Sequence, residues 1–425
     1  MTKSVKLNEN ELKFGQYDVI VVGGGPSGMM AAGRAGERGL RVLLLEKNKM
    51  LGEKLKITGG GRCNITNATF DTRAMLANYG DSEQFLYSPF AQFGVKDTFT
   101  FFESRGLPLV VQARERAFPA SEKAEDVFLV MEKYMKDNKV AVKTGVSVKG
   151  LLLREEKVVG VEVGGEEIYA NSVIIATGGS SHPETGATAD GFSWLASVGH
   201  RVAAPTPDVV PLAVADKWVK DLSGVSLSFM KISFYLDGIR KFSKTGKILF
   251  THFGLSGPLI LNSAREVSGL LKAGVVTAKI DAYPDTDLGT LDEKLVKIFD
   301  LNKNKDLKNI TKEFMPEGMD ETIFALIPEL HPNKKVHSVS KEKRKLIVQM
   351  LKALPVTVTN LMGFDRAVVA DGGVSLEEID TKTMRSKLQP NLFVTGDLLN
   401  INRKSGGFSL QLCWTTGFVA GSNVQ

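Results

Sequence analysis

"YDVIVVGGGPSGMMAAGRAGERGLRVLLLEK", residues Tyr17–Lys47, carries the strongest structural signal in this 425-residue chain. Val19–Val22 is a continuous apolar run, as expected for a parallel strand buried on both faces. A glycine-rich turn, a helical pattern over Met29–Arg38 and a second apolar strand over Leu40–Glu46 follow. The order strand, turn, helix, strand predicts the first βαβ unit of a doubly wound α/β domain.

The glycine-rich turn has the spacing of a dinucleotide-binding fingerprint, with Gly23, Gly25 and Gly28. In that fingerprint the glycines make a tight turn, admit a pyrophosphate to the backbone and bring helix and strand together. The following helix N-terminus offers free N–H groups and a partial positive charge to the phosphates. Glu46 ends the second strand, where a carboxylate can accept hydrogen bonds from ribose hydroxyls. The sequence therefore predicts a dinucleotide site.

Two later strands favour FAD over NAD, although both cofactors share this first half. "VIIATGG", Val173–Gly179, places two glycines at a strand end where they can approach the same ligand. "LFVTGD", Leu392–Asp397, ends in a carboxylate just before a helical segment. Asp397 could hold the hydroxyls of a ribitol chain, or it could simply cap the helix.

A second glycine patch, "ITGGGRCNIT", covers Ile57–Thr66. Residues without a Cβ let backbone N–H groups reach the edge of a flavin ring. Arg62 could stabilise negative charge on a reduced flavin or a phosphate, and Asn64 could bind ring carbonyls or nitrogens. Cys63 lacks the neighbouring base or second cysteine that thiol chemistry needs, so a small packing residue is the favoured interpretation.

Histidines give the candidate proton donors. His252 stands in "FTHFGLSGP" before a turn and a helix predicted to open at Pro258. Its ordinary pKa of about 6.5 suits proton transfer, but a histidine that only holds the turn fits equally. His182 follows Gly178–Gly179 and is a weaker candidate for a position near the cofactor. No spacing of His, Cys, Asp or Glu predicts a metal site.

The composition is that of a globular protein, with 43% hydrophobic and 24% charged residues and a net charge of +6. The densest basic run, "KEKRK" at Lys341–Lys345, fits a solvated helix face. The first sixteen residues lack an apolar signal core, and no stretch approaches the roughly 18 apolar residues of a membrane span. Cys63 and Cys413 form no paired motif. These features predict a cytoplasmic protein.

The chain is too long for one compact core, so several domains are expected. "APTPDVVP", Ala204–Pro211, is interpreted as a linker, and alternation such as "SLSFMKISFYLDG" predicts a β-rich module after it. Val140–Val148, Val158–Val163 and Glu166–Tyr169 are predicted to be short antiparallel strands. The predicted domains are the first part of an FAD-binding domain at 1–206, an inserted β-rich substrate domain at 207–285, an inserted helical domain at 286–353 and the second part of the FAD-binding domain at 354–425.

Four long segments resemble one known family. They are "GEKLKITGGGRCNITN" (Gly52–Asn67), "ERAFPASEKAEDV" (Glu115–Val127), "LFTHFGLSGPLIL" (Leu249–Leu261) and "LFVTGDLLNINRKSGGFSLQLCWTTGFVAG" (Leu392–Gly421). The chain is similar in these segments to the bacterial three-domain flavoproteins, labelled NAD(P)/FAD-dependent oxidoreductases or aminoacetone-oxidase-like proteins. The resemblance implies a Rossmann-type α/β FAD-binding domain that is split by an inserted β-rich domain and a helical domain.

The resemblance also implies which residues bind FAD. With their immediate neighbours, the expected cofactor-binding residues are Gly23, Gly25, Pro26, Ser27, Gly28, Glu46, Lys47, Lys54, Gly60, Gly61, Arg62, Cys63, Asn64, Val146, Thr177, Gly178, Gly179, Gly396, Asp397, Gly406, Gly407, Phe408 and Gln411. The candidate catalytic residue remains His252.

The predicted activity is that of an FAD-dependent oxidoreductase. The favoured form is an NAD(P)H-linked reductase or dehydrogenase that acts on a small organic substrate by hydride transfer through flavin N5, with NADH or NADPH as candidate electron donor. One alternative is an FAD-dependent amine oxidase that produces peroxide from a compound such as aminoacetone. Another is a flavin-dependent RNA-binding or RNA-modifying protein. Aromatic residues are sparse around the basic runs, so nucleic acid is not the expected partner.

Overall fold

The computed structural model describes residues 17–328 and 330–425, so the predicted lack of a signal core in the first sixteen residues lies outside the described part. The described residues form two compact units. One contains 17–206 and 368–425, and the other contains 207–367. Each unit has its own hydrophobic core.

The strands, in chain order, are β1 (Tyr17–Val22), β2 (Val42–Glu46), β3 (Thr66–Asn67), β4 (Leu109–Gln112), β5 (Arg116–Pro119), β6 (Ala141–Thr144), β7 (Val148–Arg154), β8 (Lys157–Val163), β9 (Glu166–Ile175), β10 (Val202–Asp208), β11 (Leu212–Val214), β12 (Ser226–Leu236), β13 (Ile239–Thr251), β14 (Gly254–Ser256), β15 (Val276–Asp281), β16 (Leu354–Leu361), β17 (Val369–Val374) and β18 (Leu392–Val394).

The α-helices are α1 (Pro26–Glu37), α2 (Glu53–Gly61), α3 (Thr72–Leu76), α4 (Glu83–Gln92), α5 (Val95–Glu103), α6 (Ala124–Asp137), α7 (Asp190–Ser197), α8 (Lys217–Asp221), α9 (Pro258–Leu261), α10 (Ala264–Leu271), α11 (Leu288–Leu301), α12 (Asp320–Leu326), α13 (Lys341–Lys352) and α14 (Phe408–Asn423). Short 3₁₀ turns connect several of them.

The first unit is built on a parallel sheet in the order β6-β2-β1-β9-β18. Val19 in β1 pairs with Val42 in β2 on one side and with Ser172 in β9 on the other. The early half of β9 continues into an antiparallel extension with β8 and β7. The order places the first strand in the middle, as in dinucleotide-binding Rossmann domains. The predicted α/β Rossmann-type fold class is confirmed.

Helices α1 and α14 pack against each other because glycines remove side chains from their contact. A Cβ on Gly417 would lie 2.4 Å from the carbonyl oxygen of Ser27, and a Cβ on Gly421 would lie 2.4 Å from that of Ala31. These distances are shorter than any real side-chain contact. The C-terminal helix thus covers the helix that begins at the glycine-rich turn.

The second unit is a closed barrel in the order β11-β14-β13-β12-β15-β16, with helices α11 to α13 around it. Leu291 and Ile347 on these helices share one hydrophobic core with Phe234 and Ile280 of the barrel. The segments predicted as separate domains at 207–285 and 286–353 therefore form one unit. A cluster of apolar side chains joins barrel and helices, a long-range contact that local patterns do not reveal.

The predicted boundary at residue 354 is also corrected. Strand β16 pairs with β15 and β11 and closes the barrel, so residues 354–367 belong to the second unit. The alternating side chains of Leu354, Val356 and Val358 are buried in that unit's core. The sequence pattern does not place these residues in the barrel, because alternation predicts a strand but does not identify its partner.

Two local predictions were also wrong. Ala141–Thr144 within the predicted antiparallel segment Val140–Val148 pairs parallel with β2, at the edge of the Rossmann sheet. Much of the predicted linker Ala204–Pro211 is strand β10, which forms a two-stranded sheet with β17. A strand with a free edge tolerates proline, because no partner needs its missing N–H group.

Candidate functional site

A cavity opens at the carboxyl ends of β1, β2 and β9 in the first unit. Eleven of the residues predicted to bind the cofactor line it, namely Gly23, Gly25, Pro26, Ser27, Glu46, Lys47, Lys54, Val146, Thr177, Gly178 and Asp397. The edge where parallel strands end is where ligands bind in open α/β sheets. The fold thus gathers residues from four distant parts of the chain around one space.

The glycines of the first turn have different structural roles. Gly23 has a φ of +109°, and a Cβ there would lie 2.5 Å from the carbonyl oxygen of Ala176. A Cβ on Gly28 would lie 1.9 Å from the carbonyl oxygen of Gly23. No heavy atom lies within 4 Å of the Cβ position of Gly25. Gly23 and Gly28 are therefore required by packing, whereas Gly25 leaves open space at the start of α1, beside the helix N-terminus.

Glu46 is fixed by the backbone at the end of β2. Its carboxylate accepts hydrogen bonds from the N–H groups of Gly24 at 2.7 Å and Asn48 at 2.8 Å. Val146 reaches the same place through its backbone, since its N–H donates to the carbonyl oxygen of Glu46 at 2.9 Å. Each carboxylate oxygen keeps a further lone pair that can accept from a ligand hydroxyl.

Sequence reasoning missed the loop that forms one wall of the cavity, Thr185–Thr188. Lys47 Nζ donates to Thr188 Oγ1 at 2.6 Å, and Asn48 Nδ2 donates to the carbonyl oxygen of Thr185 at 2.9 Å. Gly186 has a φ of +93°, and a Cβ there would meet the Asn48 amide at 2.6 Å. The usable signal was the "TG" at Thr185–Gly186, a turn residue pair that follows the strand-ending glycines.

Asp397 and Lys54 are two of the charged residues in the cavity lining. The guanidinium of Arg403, which is only 3% exposed, pairs with the carboxylate of Asp397 and also donates to Ser409 Oγ at 2.9 Å. Burial lowers the pKa of Lys54, an effect that the nearby Asp397 carboxylate opposes. Lys54 Nζ donates to Ser181 Oγ at 3.2 Å. An ammonium in this position is suited to holding an anion.

Twelve further predicted residues do not line the cavity, and several have roles in packing. Cys63 is fully buried, and burial raises the pKa of its thiol to about 12. Gln411 is buried, and its amide is used by Thr66, Thr98 and Thr415. The others are Gly28, Gly60, Gly61, Arg62, Asn64, Gly179, Gly396, Gly406, Gly407 and Phe408.

The second glycine patch nevertheless contacts the turn before α14. In the amide orientation that satisfies its neighbours, Asn64 Oδ1 accepts from the N–H of Gly407 at 2.9 Å. The next residues of α14, Ser409 and Leu410, line the cavity. Two glycine-rich segments far apart in sequence are thus joined beside the cavity.

The candidate catalytic residue His252 lies in the second unit, in the turn between β13 and β14, where it is exposed and packs edge-on against Phe253. The residues that line the cavity all belong to the first unit. His182 lies in the first unit, where Nδ1 is 2.7 Å from Glu184 Oε1. His182 does not line the cavity.

Comparison with known proteins gives a family and full-length relatives. The model of the HI0933-like protein Rossmann domain matches residues 17–423. A 3-dehydro-bile acid delta(4,6)-reductase of Clostridium scindens is 28% identical over 94% of this chain and 97% of its own length. A ribosomal RNA dihydrouridine synthase of Escherichia coli K12 is 25% identical over 96% of this chain and 98% of its own length.

A solved structure shares the fold. The 3-ketosteroid-delta4-(5alpha)-dehydrogenase from Rhodococcus jostii RHA1, in complex with 4-androstene-3,17-dione, superposes with a TM-score of 0.51 and 14% identity. The match covers 98% of both chains. At this identity the likeness concerns the fold alone. Separately, none of the helices in the described residues combines the length and apolarity needed to cross a membrane.

Proposed function

This chain belongs to the HI0933-like Rossmann family of FAD-dependent oxidoreductases, and we propose that it reduces a carbon–carbon double bond conjugated to a carbonyl group, with NADH or NADPH as electron donor. The observation that carries the proposal is the pair of relatives that match almost end to end. A delta(4,6)-reductase of a 3-dehydro steroid and a dihydrouridine synthase both saturate such a bond. This reaction class is the chemistry that their names have in common.

The cavity residues suit FAD. Thr177 Oγ1 is buried without a hydrogen-bond partner among the described residues, and the Cβ position of Gly25 is open. Both features are expected where a ligand supplies the missing contacts. Glu46 would bind the ribose hydroxyls of FAD, and Gly25 and Ser27 would bind its pyrophosphate. Asp397 would bind the ribitol hydroxyls. Lys54 would place positive charge beside the bound cofactor.

Bound FAD supplies the hydride chemistry through N5. The protein's part is to bind and orient the substrate and to hold charge. Lys54 gives the cavity wall a cation, and the Asp397 carboxylate in the same wall is paired with the buried guanidinium of Arg403. A cation beside the ring system would favour the anionic reduced state. His252, in the other unit, remains a proposed proton donor.

The proposal is tested by anaerobic mixing of the FAD-loaded protein with NADH or NADPH, followed by a neutral 3-oxo-4-ene steroid or uridine. We expect one nucleotide to bleach the flavin absorbance and one conjugated substrate to restore it. The control is the same experiment with a saturated steroid ketone, which detects any reoxidation of the flavin that does not depend on the double bond. If neither nucleotide bleaches the flavin, the NAD(P)H-linked form fails. If an amine bleaches it and oxygen then yields peroxide, the amine oxidase alternative is supported.

A second candidate is the reduction of uridine within RNA. It is favoured by the Escherichia coli relative and by the charge of the second unit. Residues 207–367 contain 24 Lys and Arg against 19 Asp and Glu, so they carry most of the net charge of +6. A net positive module attracts the phosphate backbone in a salt-dependent way. Incubation of reduced protein with unmodified ribosomal RNA, followed by mass spectrometry for a gain of two hydrogens, tests it; unchanged RNA would exclude it.

The cytoplasm remains the proposed location. Cys63 and Cys413 are both free and buried, which suits a chain that needs no disulfide.

A further inference from the structure

Two arginines on the β4–β5 hairpin have no side-chain partner in the part of the chain that the structure describes. Neither the Arg114 nor the Arg116 side chain forms a hydrogen bond or ion pair with the described residues. Arg114 is exposed, while Arg116 is half-buried. A half-buried cation without a partner has lost part of its hydration and has gained no hydrogen bond or opposite charge. This is unfavourable unless a ligand provides that interaction.

The hairpin that carries them is held firmly by its backbone. Asn67 Nδ2 donates to the carbonyl oxygens of both Arg114 and Gly406 at 3.1 Å. The N–H of Ala68 donates to the carbonyl oxygen of Glu115 at 2.6 Å. Arg114 and Glu115 have φ values of +63° and +55°. Such values are unfavourable for residues with side chains, so the surrounding contacts must impose this turn.

Arg116 lies beside Gly406, which is in the turn that precedes α14. A Cβ on Gly406 would be 3.9 Å from Arg116 Nε. Gly406 leads directly into α14, whose residues Ser409 and Leu410 line the cavity. Arg116 therefore lies beside the turn that leads into the α14 part of the cavity lining, and Arg114 lies two residues earlier in the same hairpin.

The local charge is positive after every ion pair is counted. Arg62 stacks over the Phe118 ring at 4.6 Å and meets Glu122 at 3.6 Å, so it is already partnered. Burial lowers the pKa of Arg116, and the positive charges of Arg114 and Arg62 lower it further. The acidic Glu115 is exposed and forms no ion pair among the described residues. An anion would relieve this repulsion.

We propose that Arg114 and Arg116 bind an oxyanion of the substrate, a carboxylate or a phosphate, while the reducible double bond of the same molecule enters the cavity. The planar guanidinium fork matches both groups with two parallel hydrogen bonds. The inference deepens the proposed function and rests on it for the identity of the ligand as substrate. It makes these arginines specificity-determining residues, outside the reacting atoms.

Direct anion binding tests the site without turnover. The full chain, loaded with FAD so that its pyrophosphate region is filled, is titrated by calorimetry with inorganic phosphate and, separately, acetate. We expect saturable, salt-sensitive binding that Arg116→Gln and Arg114→Gln each weaken about tenfold. Arg73→Gln, which removes an exposed arginine of the same unit, is the matched control and should bind as the wild type does. The arm with the tighter binding identifies the oxyanion.

Steady-state kinetics then connects the site with the substrate. Uridine is compared with uridine 5′-monophosphate, and a neutral 3-oxo-4-ene steroid with one that carries a carboxylate side chain. Arg116→Gln should raise KM for the charged compound of the preferred pair about tenfold without changing its kcat. The KM and kcat for the neutral compound should stay the same. Arg116→Lys should recover part of the loss, and retained FAD absorbance shows that each variant is folded.

The two proposals fail in different ways. Equal anion binding by wild type, Arg114→Gln and Arg116→Gln, or no binding by any of them, would overturn the oxyanion site whatever the turnover results. Failure to reduce any of the four conjugated compounds, with arginine-dependent anion binding intact, would instead overturn the proposed reductase activity.

Discussion

The side-chain amide of Asn64 accepts a hydrogen bond from the backbone N–H of Gly407 at 2.9 Å and donates to the carbonyl oxygen of Thr66 at 2.9 Å. A Cβ on Gly407 would lie 2.3 Å from the carbonyl carbon of Thr66, so the two backbones touch. The contact joins the second glycine patch to the turn before the C-terminal helix α14. It links two segments that are far apart in the sequence, and the second leads into Ser409 and Leu410 of the cavity lining.

Replacement of Asn64 by leucine should lower the free energy of unfolding by about 1–3 kcal/mol, because it leaves buried backbone groups unpaired. Urea unfolding followed by circular dichroism measures the change. Asn423→Leu is the control, since its amide only donates to a carbonyl within its own helix. Equal effects of the two substitutions would show that the Asn64 bridge adds no stability.

Substitutions at the glycines of the first turn should distinguish effects on folding from effects on cofactor binding. Gly25→Ala places a Cβ in open space at a φ of −79°. The unfolding midpoint of the apoprotein should therefore differ from that of the wild type by no more than a typical surface substitution causes. FAD affinity should still fall at least about tenfold, because the Cβ occupies the proposed path of the pyrophosphate. Fluorescence titration of apoprotein with FAD measures the affinity.

Gly28→Ala is the companion variant. Its Cβ would lie 1.9 Å from the carbonyl oxygen of Gly23, so both the midpoint and FAD binding should fall. If Gly25→Ala binds FAD as tightly as the wild type, the pyrophosphate does not pass over that position, and the proposed placement is wrong.

The Rossmann half of the fold was predictable because its signals are local. The apolar run before Gly23, the glycine spacing and the acid at Glu46 lie within one short segment, and the structure places them as the pattern indicates. The barrel was not predictable to the same degree. Strand β16 pairs with β11, more than a hundred residues earlier, and no local pattern identifies such a partner.

Buried charge was the second feature that the sequence concealed. Arg403 lies in "NINRKSGG", a segment in which a charged residue would ordinarily be exposed. It is only 3% exposed because Asp397, Ser409 and the carbonyl oxygen of Ile401 satisfy its guanidinium. Those partners converge only once α14 has packed, so the pairing follows from tertiary structure.

Loss of Asp397 should therefore be costly even before cofactor binding is considered. Asp397→Ala leaves the buried Arg403 cation without its carboxylate and should lower the free energy of unfolding by about 3–5 kcal/mol. Arg403→Met combined with Asp397→Ala should recover much of that loss, since no charge is then buried alone. A double-mutant cycle in urea measures the coupling; additive effects would show that the two side chains do not stabilise each other.

The buried ammonium of Lys54 predicts a pH dependence. Burial lowers its pKa below the ordinary value of 10.5, so in the window between the lowered pKa and 10.5 the unfolded chain binds more protons than the folded one. The contribution of Lys54 to the free energy of unfolding of the apoprotein must then rise with pH across that window. Lys54→Met should flatten the rise, and Lys56→Met, which removes a lysine that is paired with Glu125 near the surface, is the control. The measurement is the unfolding midpoint at a series of pH values from neutral to alkaline. If the midpoint of Lys54→Met rises with pH as steeply as that of the wild type, the prediction is wrong.

The two cysteines should be silent in the folded protein. Burial raises the pKa of both thiols to about 12, and Cys63 in addition lies in the hydrophobic core. Since the thiolate is the reactive form, a disulfide reagent at pH 8 should label neither cysteine within the lifetime of the native state and both after unfolding. Cys63→Ala should leave flavin reduction unchanged and cost only the stability of a small core truncation, about 1 kcal/mol. If one cysteine of the native protein is labelled rapidly and Cys63→Ala abolishes that labelling, Cys63 is a reactive thiol within the second glycine patch and its assignment to packing is wrong.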